Sequence, residues 1–306
     1  MGHDEQLLLG VDLGGTKMEA VLLKLRSESF EILSRIRRST DRSLGYAHIL
    51  HAVHALICET ANEAGASFPL RVGVGMPGSI SRSSGLIKNA NTTCLNGRPF
   101  RTDLIGLLGQ PVQFQNDANC FALAEARLGA GKGHSVVFGV ILGTGVGGGL
   151  VLPGPDGVPM AWDGPQGIAG EWGHVCLEPV TGPPCYCGRR GCVETFLSGP
   201  AVEAQYATQT GLTLALRELS QRRETDPLAK QILAEHAAML GRSLATVINI
   251  VDPEIIVLGG GVSNLPGLCN DALREARKWV FSDDLTTPIV RHTLGDSAGV
   301  LGAALL

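Results

Sequence analysis

Short apolar runs alternate with glycine-rich turns and longer amphipathic segments along this chain. The runs are too short for helices and end at glycine, asparagine or aspartate, which predicts β-strands. The predicted strands cover residues 7–11, 20–25, 71–75, 112–115 and 255–258, and a strand, a turn and a second strand cover 135–155. Helical spacing of apolar residues predicts helices over 42–64, 120–128, 226–251, 268–280 and 299–306. Such a succession is typical of an α/β protein.

Two glycine turns share one sequence pattern. Gly10-Val-Asp-Leu-Gly-Gly-Thr16 and Gly139-Val-Ile-Leu-Gly-Thr-Gly145 match almost position for position. Each lies between two apolar runs and predicts a β-hairpin whose backbone amides can approach phosphate oxygens. Read as an internal repeat, they predict two lobes whose turns face each other, although two such turns can also match by chance.

The two turns differ in one ionisable position. Asp12 in the first copy corresponds to Ile141 in the second, so only the first could hold a hydrated Mg²⁺ between phosphates. The first turn has neither the Walker spacing nor a GxGxxG pattern. By itself it predicts an ordinary glycine turn as readily as a nucleotide site.

Polar residues follow two of the predicted strands. Gly78 comes after strand 71–75, and Asn116 and Asp117 end strand 112–115. Ligands bind at such carboxyl ends in open α/β sheets. Asn91 lies in an amide-rich run that could read sugar hydroxyls, although asparagine-rich turns are common without ligands. Asp117 could equally be a helix N-cap.

The segment 171–194 concentrates metal-binding and ionisable side chains in a glycine-rich, irregular stretch. These are Glu171, His174, Cys185, Cys187, Cys192 and Glu194. One imidazole and three thiolates can complete a closed tetrahedral zinc site that orders a loop with little apolar surface. The Cys-x-Cys-x4-Cys spacing is not the common paired CxxC finger, so a disulfide or free thiols remain alternatives. The metal is interpreted as scaffold, and the two glutamates as the working groups.

Composition limits the function classes. A chain of 306 residues with 44% hydrophobic residues is long for one core and favours two lobes. A net charge of −4 and a pI near 6.1 argue against nucleic-acid binding and a membrane-surface function. The start of the chain has no secretory pattern, so we expect a cytoplasmic protein whose eight cysteines are reduced unless they bind metal.

Taken together and in order, the motifs resemble those of the ROK family of sugar kinases over essentially the whole chain. The matching segments are 12–17, 116–117, 143–145, 171–174, 185–194 and 258–261. The resemblance implies a two-lobed, actin-like and hexokinase-like fold with duplicated ribonuclease H-like domains. It places a small lobe at 1–116 joined by the C-terminal helix 290–306, and a large lobe at 117–289.

The resemblance also implies a set of site residues. It implies ATP and Mg²⁺ in the interlobe cleft, with cofactor contacts from Asp12, Gly14, Gly15, Thr16, Lys17, Thr144, Gly145, Gly259, Gly260 and Gly261. It implies a structural Zn²⁺ on His174, Cys185, Cys187 and Cys192. Sugar contacts are expected from Gly78, Asn91, Asn116, Asp117, Glu171, His174 and Glu194. Asp117 is the expected catalytic base, which accepts the proton of the attacking hydroxyl.

Shorter segments indicate which sugar is phosphorylated and which kind of ROK protein this is. Segments 78–80, 88–100, 185–187 and 194–199 are most similar to bacterial fructokinases, so phosphorylation of fructose at its 6-hydroxyl, with mannose as a further substrate, is expected. The second hairpin, 143–149, matches N-acetylglucosamine kinases equally well, with glucokinases behind. The resemblance also implies a homodimer, which is common in the family. Sugar-responsive repressors of the family carry a DNA-binding segment before the first glycine turn, together with a basic face. Only about a dozen residues precede that turn here and the sequence shows no basic face, so we expect a kinase and not a repressor. A non-catalytic sugar-binding protein is the remaining alternative.

Overall fold

A computed structural model describes residues 5–26 and 29–306, and it is built on two five-stranded sheets. The expectation about a leader therefore falls partly outside the described residues. The strands of the first sheet are β1 (Gln6–Leu13), β2 (Lys17–Leu25), β3 (Phe30–Ser39), β4 (Arg71–Met76) and β7 (Gln113–Asn116). They lie in the order β3-β2-β1-β4-β7. β1 pairs antiparallel with β2 and parallel with β4, so the β1–β2 hairpin lies between the edge strand β3 and the parallel strands β4 and β7.

The second sheet repeats this arrangement. Its strands are β8 (Val137–Leu142), β9 (Val146–Pro153), β10 (Pro159–Trp162), β11 (Ile255–Gly259) and β12 (Ile289–Arg291), in the order β10-β9-β8-β11-β12. β8 pairs antiparallel with β9 and parallel with β11. A two-stranded antiparallel ribbon of β5 (Ser79–Ile80) and β6 (Ile87–Lys88) follows β4 along the chain. The two-lobed α/β fold expected from the repeat is confirmed.

Helices cover the faces of both sheets. They are α1 (Gly45–Glu63), α2 (Phe100–Leu108), α3 (Asp117–Leu128), α4 (Glu194–Leu197), α5 (Gly199–Thr210), α6 (Leu216–Gln221), α7 (Pro227–Val251), α8 (Leu268–Ala276) and α9 (Ala298–Ala304). The long α7 starts where the sequence indicates, because the Asp226 carboxylate accepts hydrogen bonds from the Leu228 and Ala229 amides and Pro227 follows it. Within the described residues, no helix is long and apolar enough to cross a bilayer.

The hydrophobic pattern located the buried strands but not the exposed ones. β3 lies at the edge of the first sheet, and most of its side chains are exposed, so its charged sequence hides the strand. The edge strand β10 and the short helices α5 and α6 were missed for the same reason, since few of their residues are buried. Elements that bury only a narrow stripe leave a weak periodic signal.

Two helices meet at the junction of the sheets. α3 follows the last strand of the first sheet and packs on β8 and β9 of the second, whereas α9 follows β12 and packs on β1 and β4 of the first. Glycine allows the close approach of α3 and α9, because a side chain at Gly302 would lie 1.7 Å from the Cys120 carbonyl oxygen. The lobe limits 1–116 with 290–306, and 117–289, remain predictions.

Candidate active site

A cleft of about 220 Å³ collects most of the predicted site residues. Its polar lining residues include Asn89, Asn91, Asn116, Asp117, Thr144, Glu171, His174, Tyr186 and Glu194, with Gly78 and Gly145 beside them. All seven predicted sugar contacts are among these residues. The cleft therefore brings together side chains from β7, α3, the β8–β9 turn and the 171–194 segment, which are far apart in the sequence.

The end of β7 is held by Asn116. The Asn116 side-chain amide donates to the Gly78 carbonyl at 3.1 Å, and its oxygen accepts from the Ala118 amide at 2.9 Å. Asn116 is thus the N-cap of α3, which removes the ordinary N-cap interpretation of Asp117. Gly78 has φ of 72°, and a side chain there would lie 2.4 Å from the Lys88 carbonyl oxygen. Only glycine fits this turn without moving the backbone.

Asp117 starts α3 inside the cleft, where solvent still reaches it. Surrounding protein removes enough water to raise the pKa of its carboxyl to about 6, and the charge of Glu171 acts in the same direction. Hydrogen bonding from the Ala118 amide opposes this rise. Asp117 is therefore largely ionised at neutral pH and close to the range where a carboxylate can accept a proton.

Asp12 lies near Asp117 at the end of β1. Desolvation, followed by the negative charges of Asp117 and Glu19, raises the pKa of Asp12 to about 7, although Lys17 lowers it in part. Two neighbouring carboxylates with raised pKa values form a site whose negative charge is only partly compensated by the protein. A divalent cation would complete that compensation.

The Glu171-Trp-Gly-His174 segment forms a 3-10 turn with an anchored centre. The buried Trp172 indole donates to the Ser243 carbonyl at 3.2 Å and packs edge-on against Phe138. Gly173 passes so close to β9 that a side chain there would lie 2.0 Å from the Val146 carbonyl oxygen. Glu171 and His174, on either side of this anchor, line the cleft.

The predicted metal ligands converge. One ligand atom from each of His174, Cys185, Cys187 and Cys192 lies within 4.8 Å of the others. His174 Nδ1 is 3.6 Å from Cys185 Sγ, and the Cys187 and Cys192 sulfurs are also 3.6 Å apart. These separations suit a single tetrahedral ion, whose bonds to sulfur are about 2.3 Å long. All eight cysteines are free, so the disulfide alternative is not realised.

The second glycine turn borders the cleft and contacts Glu194. The Val146 amide donates to Glu194 Oε2 at 2.9 Å, and a side chain at Gly145 would lie 2.6 Å from the same oxygen. Glu194 thus connects residues 171–194, the predicted metal loop, to the hairpin turn as well as lining the cleft. Gly260, in the predicted nucleotide set, packs against Leu142 at the start of this turn, where a side chain would meet the Leu142 carbonyl oxygen at 2.3 Å.

The first turn stands beside the cleft rather than in its lining. Gly14, Gly15, Thr16 and Lys17 are outside the lining residues, as are Gly259 and Gly261. A side chain at Gly15 would nevertheless come within 4.0 Å of Asn91 Oδ1, so the turn abuts the cleft wall. Thr40 fixes the turn, since its hydroxyl donates to the Gly14 carbonyl at 2.7 Å and its amide to the Thr16 carbonyl at 3.0 Å.

Sequence reasoning missed several cleft residues, of which Asn89 and Tyr186 are the most informative. Asn89 lines the cleft in a left-handed conformation with φ of 59°, within the amide-rich run from which only Asn91 was selected. Tyr186 lies between two of the predicted metal ligands, Cys185 and Cys187, and places its hydroxyl 2.9 Å from His174 Nε2. The available signal was an aromatic residue inside an otherwise small and polar loop. A larger cavity of about 680 Å³ lies at the other end of α3 and contains none of the predicted site residues.

Comparison with known proteins agrees with this architecture. The ROK family model matches residues 8–306. An N-acetylgalactosamine kinase of a Shewanella species is 36% identical over 97% of this chain and 95% of its own length. An N-acetyl-D-glucosamine kinase of Photobacterium profundum is 34% identical over 97% of this chain and 98% of its own.

Two solved structures share the fold closely. A ROK hexokinase from Thermus thermophilus has a TM-score of 0.85 and 34% identity, and the alignment covers 98% of this chain and 97% of that one. A ROK family glucokinase from Streptomyces griseus, in complex with glucose and AMPPNP, has a TM-score of 0.75 and 30% identity, with 97% and 98% covered. The chain therefore belongs to the ROK family and has the fold of its sugar kinases.

Proposed function

We propose that this chain transfers the terminal phosphoryl group of ATP to the 6-hydroxyl of a hexose, with an N-acetylhexosamine as the preferred acceptor and glucose as the second candidate. One observation carries the proposal. The cleft places Asp117 among amides, carboxylates and an imidazole that can bind sugar hydroxyls, and beside a glycine turn that can bind phosphate. A sugar kinase needs these three groups in one place.

Asp117 is the group that removes the proton of the attacking hydroxyl. A primary hydroxyl is a poor nucleophile at neutral pH, and a carboxylate with a pKa of about 6 accepts its proton as the phosphoryl group transfers. Asn116 fixes the backbone under Asp117 through its bonds to Gly78 and Ala118. The donors Asn91 and Asn116 and the acceptors Glu171 and Glu194 orient the sugar ring.

Phosphate charge is met by the two glycine turns. Thr144 and the amides around Gly145 border the cleft, and the first turn, Gly14–Lys17, abuts its wall near Asn91. Backbone amides of such turns stabilise the charge that phosphoryl transfer spreads over the phosphate oxygens. Gly260 lies against the second turn, so the 259–261 glycines give a nucleotide base a flat surface close to that turn.

Two metal ions fit the donor sets. Mg²⁺ would be held near Asp12, whose raised pKa reflects uncompensated negative charge, and it would neutralise phosphate charge when ATP is bound. Zn²⁺ would be held by His174, Cys185, Cys187 and Cys192, and it would order the loop that presents Glu171 and Glu194. The role of the zinc is structural, because four protein ligands leave no open position.

The acceptor is the finer part of the proposal. Fructose, which the sequence favoured, has no support from the names of the relatives reported above. Those names are N-acetylgalactosamine kinase, N-acetyl-D-glucosamine kinase, hexokinase and glucokinase. They support the N-acetylglucosamine kinase and glucokinase alternatives instead. A homodimer remains a prediction.

A coupled assay of ADP release over a hexose panel tests the proposal. The panel contains N-acetylglucosamine, N-acetylgalactosamine, glucose, mannose and fructose, and 6-deoxyglucose serves as the matched control without the reacting hydroxyl. We expect release with the N-acetylhexosamines and glucose and none with 6-deoxyglucose. Saturable sugar binding without ADP release from any sugar would contradict the kinase proposal and favour a sugar-binding protein.

A further inference from the structure

A second groove of about 990 Å³ adjoins the cleft. The two hollows share one wall, formed by Asn89, Gly170, Glu171, His174 and Tyr186. Beyond that wall the groove is lined by apolar side chains that solvent reaches, including Ile168, Val175 and Ile250. The cleft therefore adjoins a partly apolar groove along the residues that the two hollows share.

The groove meets the cleft at the end away from the reacting groups. Its lining includes neither Asp117 nor Asn116, and neither Thr144 nor Gly145. In a six-membered sugar ring the carbon that bears the 6-hydroxymethyl group stands opposite C2. A hexose with its 6-hydroxyl at Asp117 therefore directs its C1–C2 edge toward the shared wall.

Tyr186 is an exposed aromatic side chain of that wall. It is 77% exposed, and its ring lies edge-on to the His174 ring at 5.1 Å between centroids. Its hydroxyl is 2.9 Å from His174 Nε2. Because Nδ1 of the same imidazole faces the Cys185 sulfur, Nε2 is the nitrogen that carries the proton, so the Tyr186 hydroxyl does not need to donate to it. The Tyr186 O–H then remains available to donate to a ligand.

We infer that Tyr186 is a specificity-determining residue that selects sugars with an acetamido group at C2. This inference rests on the proposed function, since it needs the 6-hydroxyl at Asp117. The Tyr186 hydroxyl donates to the acetamido carbonyl, and the methyl group points toward the apolar groove, where it leaves water. A 2-hydroxyl is too short to reach the groove, so glucose uses the rest of the cleft without this contact.

Steady-state kinetics with two sugars tests the inference. The variants are Tyr186→Phe and Tyr186→Ala, and Val180→Ala is the matched control, because Val180 lies in the same loop and is 84% exposed. We expect kcat/KM for N-acetylglucosamine to fall about threefold in Tyr186→Phe and about tenfold in Tyr186→Ala, mainly through KM. We expect kcat/KM for glucose to fall by less than about twofold, and the control to match wild type.

Calorimetric titration of both sugars into the same proteins without ATP gives a readout that is independent of turnover. The ratio of the two dissociation constants should shift toward glucose in Tyr186→Ala, with bound zinc and thermal stability unchanged. Equal loss for both sugars, or an unchanged ratio, would overturn the role of Tyr186. A wild-type protein that binds both sugars and phosphorylates neither would refute the kinase proposal, while the binding ratio would still decide the role of Tyr186.

Discussion

The first and second sheets place equivalent strands in the same order and direction, yet they contribute different chemistry to the cleft. Asp12 pairs with Gly75 in the first sheet, and Ile141 pairs with Gly259 at the corresponding place in the second. A carboxylate in one lobe therefore has an apolar counterpart in the other. The duplicated scaffold repeats the glycine turn in both sheets, but only the first copy has a carboxylate at this position.

The ends of the last strands differ in the same way. Sheet register places Thr293 and Leu294, which follow the last strand of the second sheet, where Asn116 and Asp117 stand at the end of the last strand of the first sheet. In the second lobe this position is structural, because the buried Glu125 carboxylate accepts hydrogen bonds from the Thr293 and Leu294 amides at 3.0–3.2 Å. In the first lobe the same position opens into the cleft. The same fold thus leaves the end of β7 open to the cleft, whereas hydrogen bonds to Glu125 occupy the end of β12.

The second sheet instead carries the segment that we propose holds the sugar. Between β3 and β4 the first lobe has only α1 and short connections, whereas residues 163–254 separate β10 from β11 and include the metal loop. That insertion provides Glu171, His174 and Glu194. The duplicated sheets therefore account for the cleft, and the positions where the two copies differ account for its ionisable side chains.

The largest expected effect is on kcat/KM, and it distinguishes Asp117, after β7, from Asp296, after β12. Asp117→Asn removes the proton acceptor, so we expect kcat/KM for the preferred hexose to fall about 10³-fold while sugar affinity stays within a few fold. Asp296→Asn is the matched control, because Asp296 is an exposed residue just before α9, the second-lobe counterpart of α3. Steady-state assays with calorimetric binding measure both. Equal losses in the two variants would refute the asymmetry.

A second prediction concerns the insertion that the first lobe lacks. Cys192→Ser should release bound zinc and lower the free energy of unfolding by about 3 kcal/mol, because the loop then loses its cross-link. Cys176→Ser is the control, since Cys176 lies opposite Cys192 in the same loop but outside the four-ligand cluster. Elemental analysis and urea denaturation measure the two effects. One zinc per chain in both variants would contradict the proposed ligand set.

Asp12 tests the difference between the hairpins. Its folded-state pKa of about 7 lies above the ordinary 3.8, so the folded protein binds this proton more tightly, and stability falls as pH rises from about 4 to 7. Asp12→Asn should therefore raise the free energy of unfolding at pH 7 by about 1 kcal/mol, with little gain near pH 4. Activity should fall about tenfold as the proposed Mg²⁺ site weakens. Denaturation at both pH values checks the sign, and a larger gain at pH 4 would contradict it.

The smallest effect concerns the second turn. Gly145→Ala places a methyl group against Glu194 Oε2, so the carboxylate must shift and we expect KM for the sugar to rise about threefold with kcat nearly constant. Gly143→Ala is the comparison, because a side chain at Gly143 meets no atom within 4 Å. A larger change in Gly143→Ala than in Gly145→Ala would show that Glu194 does not depend on this turn.

The sequence was most informative where glycine and buried strands coincide. The repeat at Gly10 and Gly139 predicted both hairpins, since only a glycine turn joins two apolar runs so closely. The Cys185–Cys192 spacing predicted the ligand cluster that the structure brings together. The exposed edge strand β3 could not be predicted in this way, because its side chains have little apolar periodicity.

The site was only partly predictable, because tertiary contacts decide which side chains turn into the cleft. No local signal distinguishes Asn116 from Asp117 as the helix cap, and the bond from Asn116 to Gly78 spans 38 residues. Tyr186 reaches the cleft only because its loop folds back on His174. Likewise, the first turn abuts the wall and does not line the cleft, since Thr40 holds it in that place.

The pH dependence of kcat/KM tests the central claim, that Asp117 is the base in a cleft between two related lobes. With Asp117 at a pKa of about 6, the wild-type value should fall tenfold per pH unit below about pH 6 and level off above it. The residual activity of Asp117→Asn should lack this fall. An acid limb near pH 6 that persists unchanged in Asp117→Asn would contradict the account.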